Sequence, residues 1–352
     1  MTEPQLNCLN RLEDDHGNLD AALTWSLQNS FIVGPVQDES QILFETPLLF
    51  CGALIGFWLR RGYLSEGREW CEKALAAEGS EEPTVGRAKT LLGLGVLIRN
   101  QGDFASALVR YEQSLEMFRK VGDKWGIAAS LGNLGHVALA HGNYDGAQAY
   151  YEEGLAIRRD IGDKLDIAVS LNSLGGLAQQ RGDHASAWTY MSEALLIYRA
   201  HQHLWGIPAT LYGLGNLERD RRDFVAARTY HKESLQMFQE IVDKQSIAAS
   251  LEAFASLFVA EANAVKDPSE TTRLSKNAPV DLRGAALLWG AAKALREETG
   301  SPLPPHERDK YDRNVDDARA ALGDATFSAT LADGHAMSME QAIAYALAAA
   351  DE

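Results

Sequence analysis

Small and apolar residues return along the middle of this chain every 40 positions. Gly95, Gly135, Gly175 and Gly215 form one row, which Ala255 continues. Leu131, Leu171, Leu211 and Leu251 form a second. Ala107, Ala147, Ala187 and Ala227 keep the same register, as do Leu75 through Leu235 and Ile127 through Ile247. Gly62, Gly102, Gly142 and Gly182 make a further row that breaks at Arg222. Agreement among so many rows defines an internal repeat, which has to be read before any single element.

Each unit predicts two helices. In Ile127–Gly162, residues Leu131, Leu134, Gly135 and Ala138 fall at i, i+3, i+4 and i+7, one face of a first helix, helix A. Gly142-Asn143 then punctuates, because glycine takes the left-handed backbone that ends helices. A second stripe of Tyr144, Ala147, Tyr151 and Leu155 defines helix B, and Gly162-Asp163 starts the link to the next unit. Glycine inside a helix costs about 1 kcal/mol relative to alanine. Its recurrence in the Gly95 row therefore predicts close approach of a partner helix. Trp58 at the aromatic position of helix A, and Met191 and His231 where Tyr111 and Tyr151 stand, depart from the pattern and are expected as core variation.

Around the regular stretch, residues 87–246, the pattern predicts one amphipathic helix over 9–29 and a loop over 30–41. Thr46 then caps a helix with Pro47 in its first turn. Ala77–Pro83 reads as a polar loop. Residues 264–280 read as a disordered insertion between helix A and helix B of the last unit, with helix B resuming near Asp281. Pro304-Pro305 opens a further helix, and Ser338-x-x-Gln341 forms a capping box for the final one. The expected organisation is an N-terminal helical cap over 1–41, about six helical pairs over 42–300, and a C-terminal helical cap over 301–352.

These rows resemble the tetratricopeptide repeat, in a 40-residue variant of a motif whose usual length is ~34. The resemblance covers 87–260 and extends back through Arg61–Leu75. It implies an all-α, right-handed solenoid of helical hairpins with capping helices. The flanking stretches Glu13–Leu27, Arg61–Leu75, Leu287–Asp324 and Met337–Leu347 are similar to the C-terminal sensor arm of large bacterial signalling ATPases and multidomain transcriptional activators. That similarity implies a bacterial sensor of a partner or inducer, standing alone or as a piece of a longer product. No GxxxxGK(S/T) loop and no DNA-binding module stand in the sequence, so ATP and DNA binding have no residues to rest on.

Charge narrows the partners. The 352 residues hold 33 Lys+Arg against 49 Asp+Glu, a net −16. Residues 1–86 carry 5 basic and 14 acidic groups, 87–246 carry 18 of each, and 247–352 carry 10 and 17. No segment offers the basic face that a nucleic-acid reader needs. The N-terminus lacks a basic start before an apolar stretch, so no signal peptide is expected. Leu48–Leu59 is uncharged but shorter than the roughly 20 residues a bilayer demands. A cytoplasmic protein without membrane association is the expectation.

Catalytic chemistry finds little footing. Cys8, Cys51 and Cys71 show no paired metal or disulfide spacing. His201-Gln202-His203 has two imidazoles, but replaces the usual Gly-Asp and reads as a solvated link. Gly93/Gly95 and Gly213/Gly215 lie inside helix A with no preceding strand, unlike a phosphate loop. Glu152-Glu153 and Asp14-Asp15 are adjacent and do not face one another on a helix. The expectation is no enzyme, no cofactor and no metal.

Binding remains. Helix A is expected to line a groove, and its polar residues off the core stripe are the candidates: Arg99; Asn133 and His136; Asn172 and Gln179; Tyr212, Asn216 and Arg219. Amide, imidazole, phenol and guanidinium groups hydrogen-bond peptide backbones and carboxylates. Leu92 and Val96 stand where chaperone-tail carboxylate clamps carry Lys and Asn, which argues against chaperone C-termini as partners. The leading reading is a protein- or peptide-binding scaffold. The alternatives are a small-molecule inducer sensor in the same groove, and a structural homo-oligomer built on the helix B row Tyr150, Tyr190 and Tyr230 or on the acidic caps.

Overall fold

A computed structural model describes residues 3–29, 39–77, 83–265 and 281–350 of the chain. These residues form seventeen α-helices and no strand. They divide into two compact units, Met1–Leu177 and Ala178–Glu352. The first holds α1 (Glu3–Asp14), α2 (His16–Asn29), α3 (Glu39–Arg61), α4 (Leu64–Ala76), α5 (Val85–Asn100), α6 (Phe104–Val121), α7 (Lys124–Ala140), α8 (Tyr144–Ile161) and most of α9 (Lys164–Gln180). The second holds the end of α9, then α10 (His184–Ala200), α11 (Gly206–Asp220), α12 (Phe224–Glu240), α13 (Lys244–Val265), α14 (Leu282–Thr299), α15 (Pro305–Leu322), α16 (Asp324–His335) and α17 (Met339–Ala349).

The 40-residue repeat resolves into a 20-residue punctuation. In the first unit Gly102, Gly122, Gly142 and Gly162 all take positive φ. The residue after each one caps the next helix. Asp103 accepts from Ser106 N–H, Asp123 from Gly126, Asn143 from Gly146 and Asp163 from Asp166, at 3.0–3.2 Å. Each pair of residues thus ends one helix and satisfies an orphan donor of the next.

The second unit keeps this geometry with less suitable residues. Gly182 is followed by Gln202, Arg222 and Val242, all at positive φ, where an L-residue bears roughly 1–2 kcal/mol of strain. Arg222 therefore breaks the glycine row without breaking the turn. His203 replaces the capping Asp, its Nδ1 accepting from Gly206 N–H at 2.8 Å while its ring stacks on Tyr198. The His201–His203 stretch serves the link between α10 and α11.

Helix A glycines meet helix B rings, as their recurrence predicts. A Cβ on Gly95 would stand 2.6 Å from Tyr111, and one on Gly135 2.4 Å from Tyr151. In the second unit a Cβ on Gly215 would stand 2.6 Å from His231. Trp58 reverses the arrangement. The large ring sits on α3, and Gly67 of α4 makes room for it, a Cβ there standing 2.7 Å from the indole. Successive hairpins use the same device, with Gly126 against Phe118 and Gly206 against Tyr198.

The ends differ from expectation. The helix predicted over 9–29 is two helices that break at Asp15. Thr46 and Pro47 do not start a helix, because α3 begins at Glu39 and carries Pro47 inside it. Of the insertion expected over 264–280, Ala264 and Val265 end α13 and the rest lies outside the described residues, as do 30–38 and 78–82. Asp281 caps α14, Pro305 opens α15, and both bonds of the Ser338–Gln341 capping box are made. One helix among the described residues, Lys244–Ala264, is long and apolar enough to cross a membrane, and 78% of it is buried inside the structure. Next to it, α14 and α16 approach to backbone contact, since a Cβ on Gly290 would lie 2.1 Å from the Leu331 carbonyl. Trp289 is fully buried there, with Tyr311 and Phe327 against its ring.

His231 is a fully buried imidazole with no hydrogen-bond partner at either nitrogen. Burial, and then the Arg219 charge, push its pKa down to about 3 from 6.5. The folded state therefore holds it neutral.

Gly135→Ala should lose about 1–3 kcal/mol in urea melts because the new methyl strikes Tyr151. Gly132→Ala, whose Cβ meets nothing nearer than 3.6 Å, should gain up to about 1 kcal/mol of helix propensity. For His231, the unfolded chain takes up a proton near pH 6.5 and the folded chain does not until about pH 3. That part of the stability is complete above pH 6.5 and declines as pH falls, by at most about 1.4 kcal/mol per pH unit. In urea melts from about pH 7 to about pH 4, His231→Met should lack this loss.

Candidate ligand-binding cleft

The eight polar candidates of helix A fall into two groups. In the first unit, Arg99 donates to Asn133 Oδ1 at 3.3 Å, and Asn133 donates to the Ala129 carbonyl. His136 Nδ1 lies 2.8 Å from the Tyr151 hydroxyl. These three side chains bond within the unit. Asn172 differs, having a buried Oδ1 without a hydrogen-bond partner.

In the second unit, Tyr212, Asn216 and Arg219 fall at i, i+4 and i+7 on α11 and share a face. That face lines a cavity of about 410 Å³, together with Gln179, α13 and α15. From α13 come Glu252 and Ser256, again i and i+4. From α15 come His306, Glu307 and Lys310 on the first turns of a helix expected to serve only as a cap.

Asp220 organises one wall. Its carboxylate accepts from Arg219 at 3.1 Å, Lys310 Nζ at 2.8 Å and Gln179 Nε2 at 3.1 Å. Burial works against this carboxylate, yet Arg219 and Lys310 together hold its pKa below the ordinary value. Arg219 is therefore a buried structural cation, 8% exposed, rather than a free ligand donor. Glu252 organises the other wall. Arg296 of α14 grips it with two parallel bonds, 2.7 Å from Nε and 2.6 Å from Nη2, the bidentate geometry that guanidinium and carboxylate favour. Burial still raises the Glu252 pKa against the pull of Arg296.

The groups left for a ligand lie between these walls. Burial raises the Tyr212 phenol and keeps it protonated, while Asn216 hydrogen-bonds it. Burial lowers the His306 imidazole, and its Nδ1 is buried without a partner. Burial raises Glu307, opposed by Arg296, Arg219 and Lys310. The cleft thus offers a phenol, an amide, a neutral imidazole and a carboxylate to one small volume. No group of His, Cys, Asp and Glu among the described residues is arranged to hold a metal ion.

Glu252 and Ser256 were not singled out from sequence, although they stand 40 positions after Tyr212 and Asn216. Following the register one unit further finds them. His306, Glu307 and Lys310 lie outside the repeat, and no periodicity points to them.

The comparisons with known proteins agree with this architecture. The tetratricopeptide repeat pattern matches residues 86–160 and 126–200. No curated protein matches the chain in sequence. Among solved structures, a Rap protein complexed with competence and sporulation factor is 16% identical, covering 97% of this chain and 98% of its own, with a TM-score of 0.56. The Rap conjugation gene regulator of plasmid pLS20, in complex with the Phr* peptide, is 16% identical, covers 83% and 80%, and scores 0.53. The apo form of RapI is 16% identical, covers 80% and 99%, and scores 0.50. At this identity the likeness is one of fold. The chain is an all-α protein of helical hairpins that carries tetratricopeptide repeats over residues 86–200.

Proposed function

We propose that this chain is a non-catalytic peptide-binding scaffold that holds its partner in the cleft between α11, α13 and α15, in the service of bacterial signalling or transcription control. The observation that carries this reading is the convergence of polar stripes from three helices on one cavity. Tyr212, Asn216 and Ser256 line it without being tied up in the salt bridges of either wall. Two Rap structures of similar fold are complexes with a competence and sporulation factor and with a Phr* peptide, which supports a peptide as the occupant.

A second reading places a small inducer molecule in the same cleft. Its volume, about 410 Å³, favours this, because ligand pockets span roughly 300–1,000 Å³.

Thermal melts of the full chain test both. A random heptapeptide pool should raise the melting temperature, as ligands of the folded state do. Asn216→Leu/Ser256→Leu, which fills the cavity with two apolar side chains, should fold normally and lose the shift. A shift that survives in the filled variant would move binding away from this cleft. A shift with a metabolite pool alone would favour the inducer.

A further inference from the structure

Glu307 lines the cleft with no Lys or Arg in ion-pair contact, although Arg296, Arg219 and Lys310 act on it from farther off. Asp220 holds Arg219, Lys310 and Gln179, and Glu252 holds Arg296. The ion-pair contact of Glu307 is His306 Nε2 at 3.8 Å, beyond hydrogen-bonding distance, and that imidazole is kept neutral by burial. The Glu307 side chain keeps 39% of its surface open while lining the cavity. Glu252 repels it from the opposite wall. The other charged lining residues, Asp309 and Arg313, are one of each sign.

An anionic ligand fits this arrangement poorly. It would have to draw Arg219 and Lys310 away from Asp220, and would bring a third negative charge up to Glu252 and Glu307. A cation leaves those pairs in place, with Arg219 and Lys310 turned to Asp220 and Arg296 to Glu252. Its charge answers Glu307, and Leu303, Tyr311 and Ala253 line the same cavity to cover an aliphatic stem. The net charge of −16 also favours the approach of a basic partner.

We propose that the cleft receives a basic side chain of a bound peptide, a lysine ammonium or arginine guanidinium, with Glu307 as its counter-ion. This rests on the peptide-binding reading and adds the specificity of its central subsite. Glu307→Gln removes the charge and keeps the shape, so the fold stays intact. Its melting temperature without ligand should stay near that of the wild type, because Glu307 makes no ion-pair contact closer than the 3.8 Å to His306.

The test uses acetylated, amidated heptapeptide pools with a fixed central Arg, Lys, Leu or Glu, titrated against the full chain by fluorescence polarisation. Agmatine serves as a free small cation. The Arg and Lys pools should bind at least about tenfold tighter than the Leu and Glu pools, and Glu307→Gln should abolish that preference. Equal binding of all pools, or a preference that survives in Glu307→Gln, overturns the inference and leaves the peptide reading standing. Binding of agmatine with no peptide pool bound overturns the peptide as source. Absence of any binding removes both the inference and the peptide reading of the cleft.

Discussion

The contact of a bare helix A backbone with a helix B ring governs this structure. Where Gly95 faces Tyr111, or Gly135 faces Tyr151, no side chain other than hydrogen fits. The helices of a hairpin consequently pack at one depth and one rotation. The left-handed residue and capping side chain that recur every 20 positions then return the chain for the next helix. Fixed rotation also decides which side chains meet. Residues at i, i+4 and i+7 from the packing stripe are held on a common face, which is how Tyr212, Asn216 and Arg219 reach the same cavity.

Electrostatics finishes what packing begins. Buried charge is costly unless matched, and removing one partner leaves the other stranded. Asp220 and Glu252 are matched by Arg219, Lys310 and Arg296, so the walls of the cleft are internally satisfied. The ion pair from Lys310 to Asp220 also links α15 to α11, although α15 contributes only Ala318 to the fully buried core. Between the walls stands Glu307, part-exposed and without a Lys or Arg in ion-pair contact.

The hairpins were legible in the sequence because close packing forces glycine into helix interiors, and repetition turns that into a visible period. The same period contained Glu252 and Ser256, one unit beyond the regular stretch. What it did not contain is α15, whose place over the cleft follows from the Gly290 crossing of α14 and α16 and from Trp289 against Tyr311. Local polarity also misjudged roles. Arg219 and Asn133 read as free polar groups, but neighbouring helices or the end of their own helix supply partners that no spacing rule anticipates. The break at Asp15 and the burial of Pro47 inside α3 were likewise hidden, since neither changes the apolar pattern on either side.

The most direct measurement is hydrogen exchange of the full chain, alone and saturated with the arginine-centred peptide pool. Slowed exchange concentrated in Gly206–Asp220, Lys244–Val265 and Pro305–Leu322, the three helices around the cavity, is what the proposed peptide binding in this cleft predicts. Protection confined to α10 and α12, with those three helices unchanged, would contradict it.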